Sequence, residues 1–353
     1  IQSIVNKTRG TLLNQSELGS LNQGDTQNAE AYSLVKEGLD LLNGHSREST
    51  QRAIELMLQA IEIDPNYSNA YMGLARAYQL SPSLSLHEPK IAFPLANEYG
   101  QKALEINPNL LGFEIIKLSI NQSGQRNPEQ MMVRLESLLK EHPNNSELLR
   151  TAGDIYSFSG RNHKAIEILN NGLKLDPKNA WFHQLLAYTH LITGHIQLAE
   201  FHNSKALELK PKFQFALHIR SLLMSRKKQF DEIENELRKA IEDDAQNPVT
   251  MMSLGVVYWR SGQKEKTYKL LAELLDRRNF EYIKSGILAR FYIAIGQKEK
   301  SFKWLRQSSK ESDSDFADLF HWPLFDEVRL DPEFIQIYKD AGIFEHFTTE
   351  DSR

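Results

Sequence analysis

The sequence contains no cysteine, which excludes disulfide staples, thiolate metal sites and a cysteine nucleophile. It also lacks a run of about 18 consecutive apolar residues, so no segment reads as a membrane-spanning helix. Charge of one sign is missing too: 42 Lys and Arg against 46 Asp and Glu leave a net charge of −4. That balance gives no electrostatic reason to expect nucleic acid as a ligand. The densest basic run, Arg226-Lys227-Lys228, is short and sits beside the acidic stretch Asp231 to Glu236, and it reads as a solvated, salt-bridged face. Catalytic signatures are absent. No phosphate-binding G-x-x-x-x-G-K-[ST] or G-x-G-x-x-G loop occurs, and no H-E-x-x-H or G-x-S-x-G, so neither catalysis nor a cofactor is expected. No basic-apolar-small leader follows Ile1, and a chain opening on Ile is expected to have more sequence upstream.

What is present is repetition. Hydrophobic residues at 41% and charged residues at 25% place the chain among folded proteins rather than disordered ones. Pro143, Pro177 and Pro211 recur at a spacing of 34. The same step links the small or short residues Gly153, Ala187, Ser221, Gly255 and Ala289. It also links Gly160, Gly194, Lys228, Gly262 and Gly296, and then Ala165, Ala199, Ile233, Thr267 and Ser301. Four registers at one period mark a repeat architecture. Within a unit, Leu149, Ala152, Gly153 and Tyr156 recur at helical spacing before the breaker Gly160. A second helix follows from Asn162 to Leu175 and stops at Asp176-Pro177, since proline cannot continue the hydrogen-bond ladder. Small residues permit close approach of the two antiparallel helices.

These residues resemble the tetratricopeptide repeat, through LLRTAGDIY…KAIEILNNGLKLDP and through YMGLARAY in an earlier unit. The resemblance implies an all-α fold, an α-α superhelix of about eight helix-turn-helix repeats over residues 31–310. Residues 1–30 are expected to form a helix and a polar linker, and 311–353 a capping segment whose helix covers the last repeat. Pro82 and Pro89 predict a rigid insertion between the helices of the second unit. The segments NAEAYSLVKEGLDLL, RAIELMLQAIEIDPNYSNAYMGLARAY and FDEVRLDPEFIQIYKDAGI further resemble the repeat region of bacterial CadC-like and HilA-like transcriptional regulators. Related arrays follow adenylate-cyclase domains. That resemblance implies an upstream winged helix that binds DNA, and a periplasmic location in membrane-anchored members.

A repeat array of this kind implies a protein or peptide partner held on a concave face lined by the first helices, with a homodimer as a further option. Residues flanking each small contact give the candidates Arg150, Asp154, Trp181, Gln184, Tyr188, Phe215, His218, Met252, Trp259, Arg260 and Arg290. Large amphipathic rings among them suit interface anchors, while packing between repeats is the alternative for each. Arg150 and Asp154 stand where chaperone-tail clamps carry other residues, which argues against an EEVD-type ligand. His183 and His190 share a helix face, with His195 and His202 on the partner helix. Such histidines read as packing residues, as a pH sensor or, with three converging ligands, as a metal site; no metal is expected.

Overall fold

The computed structural model describes residues 26–124, 128–243 and 247–344; the helix expected over 1–14 lies outside them. Among the described residues there are seventeen α-helices and no strand. The first pair is α1 (Ala29–Leu42) with α2 (Arg47–Ile63), and α3 (Ser68–Leu80), α4 (Pro89–Ile106), α5 (Leu111–Gly124) and α6 (Pro128–Glu141) follow in chain order. They continue as α7 (Ser146–Phe158) with α8 (Asn162–Leu175), α9 (Ala180–Ile192) with α10 (Ile196–Leu209), and α11 (Gln214–Arg226) with α12 (Phe230–Asp243). The last are α13 (Pro248–Arg260) with α14 (Lys264–Arg277) and α15 (Ser285–Ala294) with α16 (Lys298–Lys310). Short 3-10 turns at Asp318–Phe320 and Pro323–Val328 precede α17 (Pro332–Asp340). The all-α class that the resemblance implies is the one found.

Described residues fall into two compact units, one within Ile1–Leu80 and Pro94–Glu114, the other within Ser81–Phe93 and Ile115–Arg353. In the first, Met57 of α2 wedges between Gly38 of α1 and Gly73 of α3. A Cβ at either glycine would come within 2.7 Å of its thioether end. Ala31, Val35, Tyr67, Leu74 and Ala77 close the core around it, and Tyr78 stacks on Tyr99 at 5.7 Å.

In the second unit the sequence registers become contacts. A Cβ at Gly153 would sit 2.2 Å from Leu169 of the paired helix. The fourth register meets the first: Thr267 Oγ1 donates to the Gly255 carbonyl at 3.2 Å, and Ser301 Oγ to that of Ala289 at 2.8 Å. Gly160, Gly194, Gly262 and Gly296 all have positive φ, and so does Lys228 at the same place in its repeat, with φ 59°. That turn requires the left-handed conformation, which glycine adopts without a Cβ penalty and lysine does not. Three of these first helices open on an asparagine whose side chain accepts backbone amides: Asn145, Asn179 and Asn247, again 34 apart where they are consecutive. Such caps satisfy donors that the helix itself leaves unpaired.

Candidate functional site: the inner faces of the first helices

Within the second unit the first helices α7, α9, α11, α13 and α15 lie side by side, and the eleven candidate residues on them separate into three groups. One is a half-buried ledge at the helix N-termini. Asn179 caps α9 through the Trp181 amide at 3.0 Å, which fixes the indole at the start of the helix. Its ring meets Phe213 at 4.6 Å and Phe215 at 5.8 Å, and the Arg150 guanidinium lies 5.5 Å from it. The ledge presents a cation and two aromatic faces together.

The second group, Asp154, Tyr188, His218 and Arg290, surrounds part of the chain's own C-terminal region. Tyr188 is 2% exposed, stacks on Trp322 at 5.3 Å and donates its hydroxyl to Asp318. His218 stacks on the other side of Trp322 at 5.0 Å, with its Nδ1 2.7 Å from Ser253 Oγ. Arg290 lies 5.8 Å from the same indole and pairs with Asp315 at 2.5 Å. The sequence pattern predicts an open trough here; residues 311–328 fill it instead. Aromatics that follow the last repeat have apolar surface to bury, and Phe316, Leu319, Trp322 and Phe325 bury it against Tyr188, Leu191, Ile219, Leu222 and Ala289. Beyond them, Phe334 of α17 meets Phe302 of α16 at 5.8 Å.

Three acids of this segment, Glu311, Asp313 and Asp315, are received by donors on or just ahead of α15, with Ser308 of α16 adding one more. Glu311 accepts from Arg278 and from Ser285 at 2.7 Å. Asp313 accepts from the Gly286 amide at 2.7 Å and from Ser308 at 3.0 Å. Asp315 takes both Lys284, at 2.6 Å, and Arg290; Lys284 is fully buried. Burial alone would raise the Asp315 carboxyl, but the two cations outweigh it and hold the group below the ordinary carboxylate range. Asp318 has no cation in hydrogen-bond contact. Burial pushes it up to about 7, with Asp315 adding to the rise and the Tyr188 hydroxyl opposing it. Asp154 is likewise pushed up to about 6 by burial, against the pull of Arg150 and a hydrogen bond from Gln122. Lys284, Arg278, Ser285 and the four acids were not among the candidates. The alternating acids of ESDSD at 311–315 were the available signal.

The third group does not join either cluster. Gln184 is 7% exposed and Met252 is fully buried among Leu288, Phe291 and their neighbours. Trp259 turns toward its own second helix, 6.2 Å from Tyr268 and 5.0 Å from the Lys264 ammonium. Arg260 is exposed at the end of α13.

The histidines form a cluster between α9 and α10. His183 Nδ1 lies 3.0 Å from His202 Nδ1, His190 stacks on His202 at 5.7 Å, and the ring of His195 is 5.8 Å from that of His190. No group of three or more metal-ligating side chains suited to an ion occurs among the described residues. Burial lowers His183 and His190, and burial with its two neighbours lowers His202 to about 4. Lys205 and Glu208 are the charged groups acting on His183, in opposite senses. A lowered histidine keeps its full contribution above the unfolded value of 6.5 and loses it as pH falls toward about 4, because the unfolded chain takes up the proton first. Asp154 and Asp318 act oppositely, gaining stability as pH falls through their raised values. His202→Phe retains the ring and removes the charge. Its thermal melt should therefore lose less stability on acidification from about 6.5 to about 4 than the parent chain. Identical pH profiles for the two chains would show that the cluster does not titrate with folding.

The comparisons with known proteins agree with this architecture. The tetratricopeptide repeat family model matches residues 150–179. A TPR repeat-containing protein of Methanocaldococcus jannaschii is 32% identical over 89 residues, 25% of this chain and 26% of that protein. The transcriptional regulator HilA of Salmonella typhimurium is 23% identical over 283 residues, 77% of this chain and 49% of HilA. The chain thus spans about half the length of these relatives, or less. Among solved structures, the human IFIT1 dimer with m7Gppp-AAAA superposes with a TM-score of 0.58 at 16% identity, covering 84% of this chain and 77% of that one. A Rap protein complexed with competence and sporulation factor gives 0.57 at 13% identity, covering 90% and 98%. Both are likenesses of fold. With its period, its paired helices and its left-handed glycine turns, the chain has the architecture of the tetratricopeptide repeat that its residues 150–179 match, and over most of its length it is similar to the transcriptional regulator HilA.

Proposed function

We propose that the chain is a non-catalytic interaction scaffold, the repeat region of a larger bacterial regulatory protein, which takes a peptide or protein segment on the inner faces of its first helices. Its organisation follows: an array over 31–310, closed by 311–353. One observation carries the reading: the faces of α9, α11 and α15 already bind a non-repeat piece of polypeptide, residues 311–328, through specific side-chain pairs. A surface that orders one such segment has the chemistry to order another. Similarity to HilA over 77% of the chain supports the regulatory setting, and no described helix is long and apolar enough to cross a membrane. The open part of the surface is the Arg150–Trp181–Phe215 ledge, whose two large rings and guanidinium match the residue types that dominate interface energetics.

The test is selection of a phage-displayed random peptide library on the immobilised chain. Peptides should enrich, and a Trp181→Ala, Phe215→Ala chain should lose most of them while its circular-dichroism melt shifts little. Failure to enrich any peptide beyond a repeat-free control protein would overturn the reading. A second reading, a pH-responsive sensor, is favoured by the histidine cluster between α9 and α10 and stands or falls on the His202→Phe melt.

A further inference from the structure

Residues 311–328 bind the groove as a ligand would, and they bind it imperfectly. Complementarity runs one way: the segment contributes the carboxylates Glu311, Asp313, Asp315 and Asp318, and the groove contributes Arg278, Lys284, Arg290 and the Tyr188 hydroxyl. Behind the acids, Trp322 inserts between the Tyr188 and His218 rings. The fit still leaves a groove donor idle, since buried Arg290 Nε has no hydrogen-bond partner, and the buried ring nitrogen His218 Nε2 has none either. Unsatisfied buried polar atoms cost free energy, and a buried ion pair returns little beyond its own desolvation. Opening this part of the groove to water is therefore less unfavourable than its burial implies, and a segment offering one more acceptor would sit there better. The segment itself is held in two short 3-10 turns rather than in a helix of the array.

We propose that residues 311–328 are a displaceable occupant of the α9–α11–α15 groove. The intermolecular ligand of that groove is then a peptide of another protein carrying spaced acidic residues ahead of a tryptophan or phenylalanine. This rests on the scaffold reading above and names its partner class. Occupancy by the chain's own segment lowers the fraction of molecules able to bind, and the apparent affinity falls by that fraction.

The probe is a fluorescein-labelled synthetic peptide with the sequence of residues 311–328, titrated by anisotropy into the full chain. Asp315→Asn should take up the peptide roughly tenfold more tightly than the parent chain, because its own segment competes less well. The same peptide with asparagine at the positions of Asp315 and Asp318 should bind roughly tenfold more weakly than the acidic one. Bound peptide should also speed hydrogen exchange of the chain's own amides over 313–328. If Asp315→Asn loses its helical circular dichroism, Glu311→Gln serves in its place, since Glu311 lies at the edge of the groove with its side chain 22% exposed. Equal uptake by parent and variant, or equal uptake of the acidic and asparagine peptides, overturns the proposal. If library-selected peptides still bind the Trp181 ledge in that case, the scaffold reading survives and only the displaceable segment falls.

Discussion

An Asp315→Ala chain should lose about 3–5 kcal/mol of stability, the range seen when one partner of a buried ion pair is removed. The loss comes less from the missing attraction than from what is left behind. Lys284 is fully buried and has the Asp315 carboxylate 2.6 Å from its ammonium. Arg290, 5% exposed at its side chain, shares that carboxylate. Without it, two cations face each other in a groove lined by Trp322 and Phe316. The quantity to measure is the urea midpoint of the far-UV signal, converted through the slope of each transition. The decisive comparison is the double variant Asp315→Ala, Lys284→Met. It should be more stable than Asp315→Ala alone, because it replaces a stranded ammonium with an apolar chain of similar length. If Asp315→Ala costs less than about 1 kcal/mol, the pair behaves as a surface salt bridge and water already reaches Lys284. The depressed Asp315 carboxyl gives an independent check. Its contribution is present above the unfolded value of 3.8 and is lost as pH falls below it, whereas Asp318, raised to about 7, contributes more as pH falls from about 7 toward 3.8.

The difference between what the sequence revealed and what it concealed follows from the range of the interactions. Each 34-residue register specifies a contact with a neighbouring helix, so period alone locates Gly153 over Leu169 and Ser301 over the Ala289 carbonyl. Lys228 was visible as the odd member of a glycine register, and its φ of 59° shows that the turn survives without glycine at some strain. The occupied groove was not visible, because nothing periodic links its two sides. Tyr188 and Asp318 are 130 residues apart, and repeat arithmetic describes only adjacent units. Trp259 illustrates a second limit. A residue beside the small contact on a helix can face the groove or its own partner helix with little change of phase. The indole takes the second course because Tyr268 and Lys264 offer a ring edge and a cation there. Tyr188 does face inward, as its spacing implies, and meets the chain's own tryptophan.

Phe291→Ala should cost about 3–5 kcal/mol, the usual consequence of emptying a fully buried phenylalanine site. The reason lies in how α13 and α15 approach each other. Phe291 is wholly buried among Val249, Met252, Val256 and Leu288, and its ring reaches the backbone of α13 at Gly255. A Cβ there would fall 2.1 Å from Phe291 Cζ, so the ring tip occupies the space that any other residue at 255 would need. Gly255→Ala in the parent chain should therefore destabilise by about 1–3 kcal/mol through overpacking, since a ring enclosed on all sides cannot swing aside. The two changes should not add. Once Phe291 is replaced by alanine, the methyl that Gly255→Ala introduces enters the vacated volume, and helix propensity favours alanine over glycine by about 1 kcal/mol. The double variant should then be more stable than Phe291→Ala alone, a sign reversal at position 255 that only direct contact produces. Additive losses would mean that the ring and the glycine are not in register. The register of Gly153, Ala187, Ser221, Gly255 and Ala289 would then reflect composition rather than the close approach of neighbouring helices.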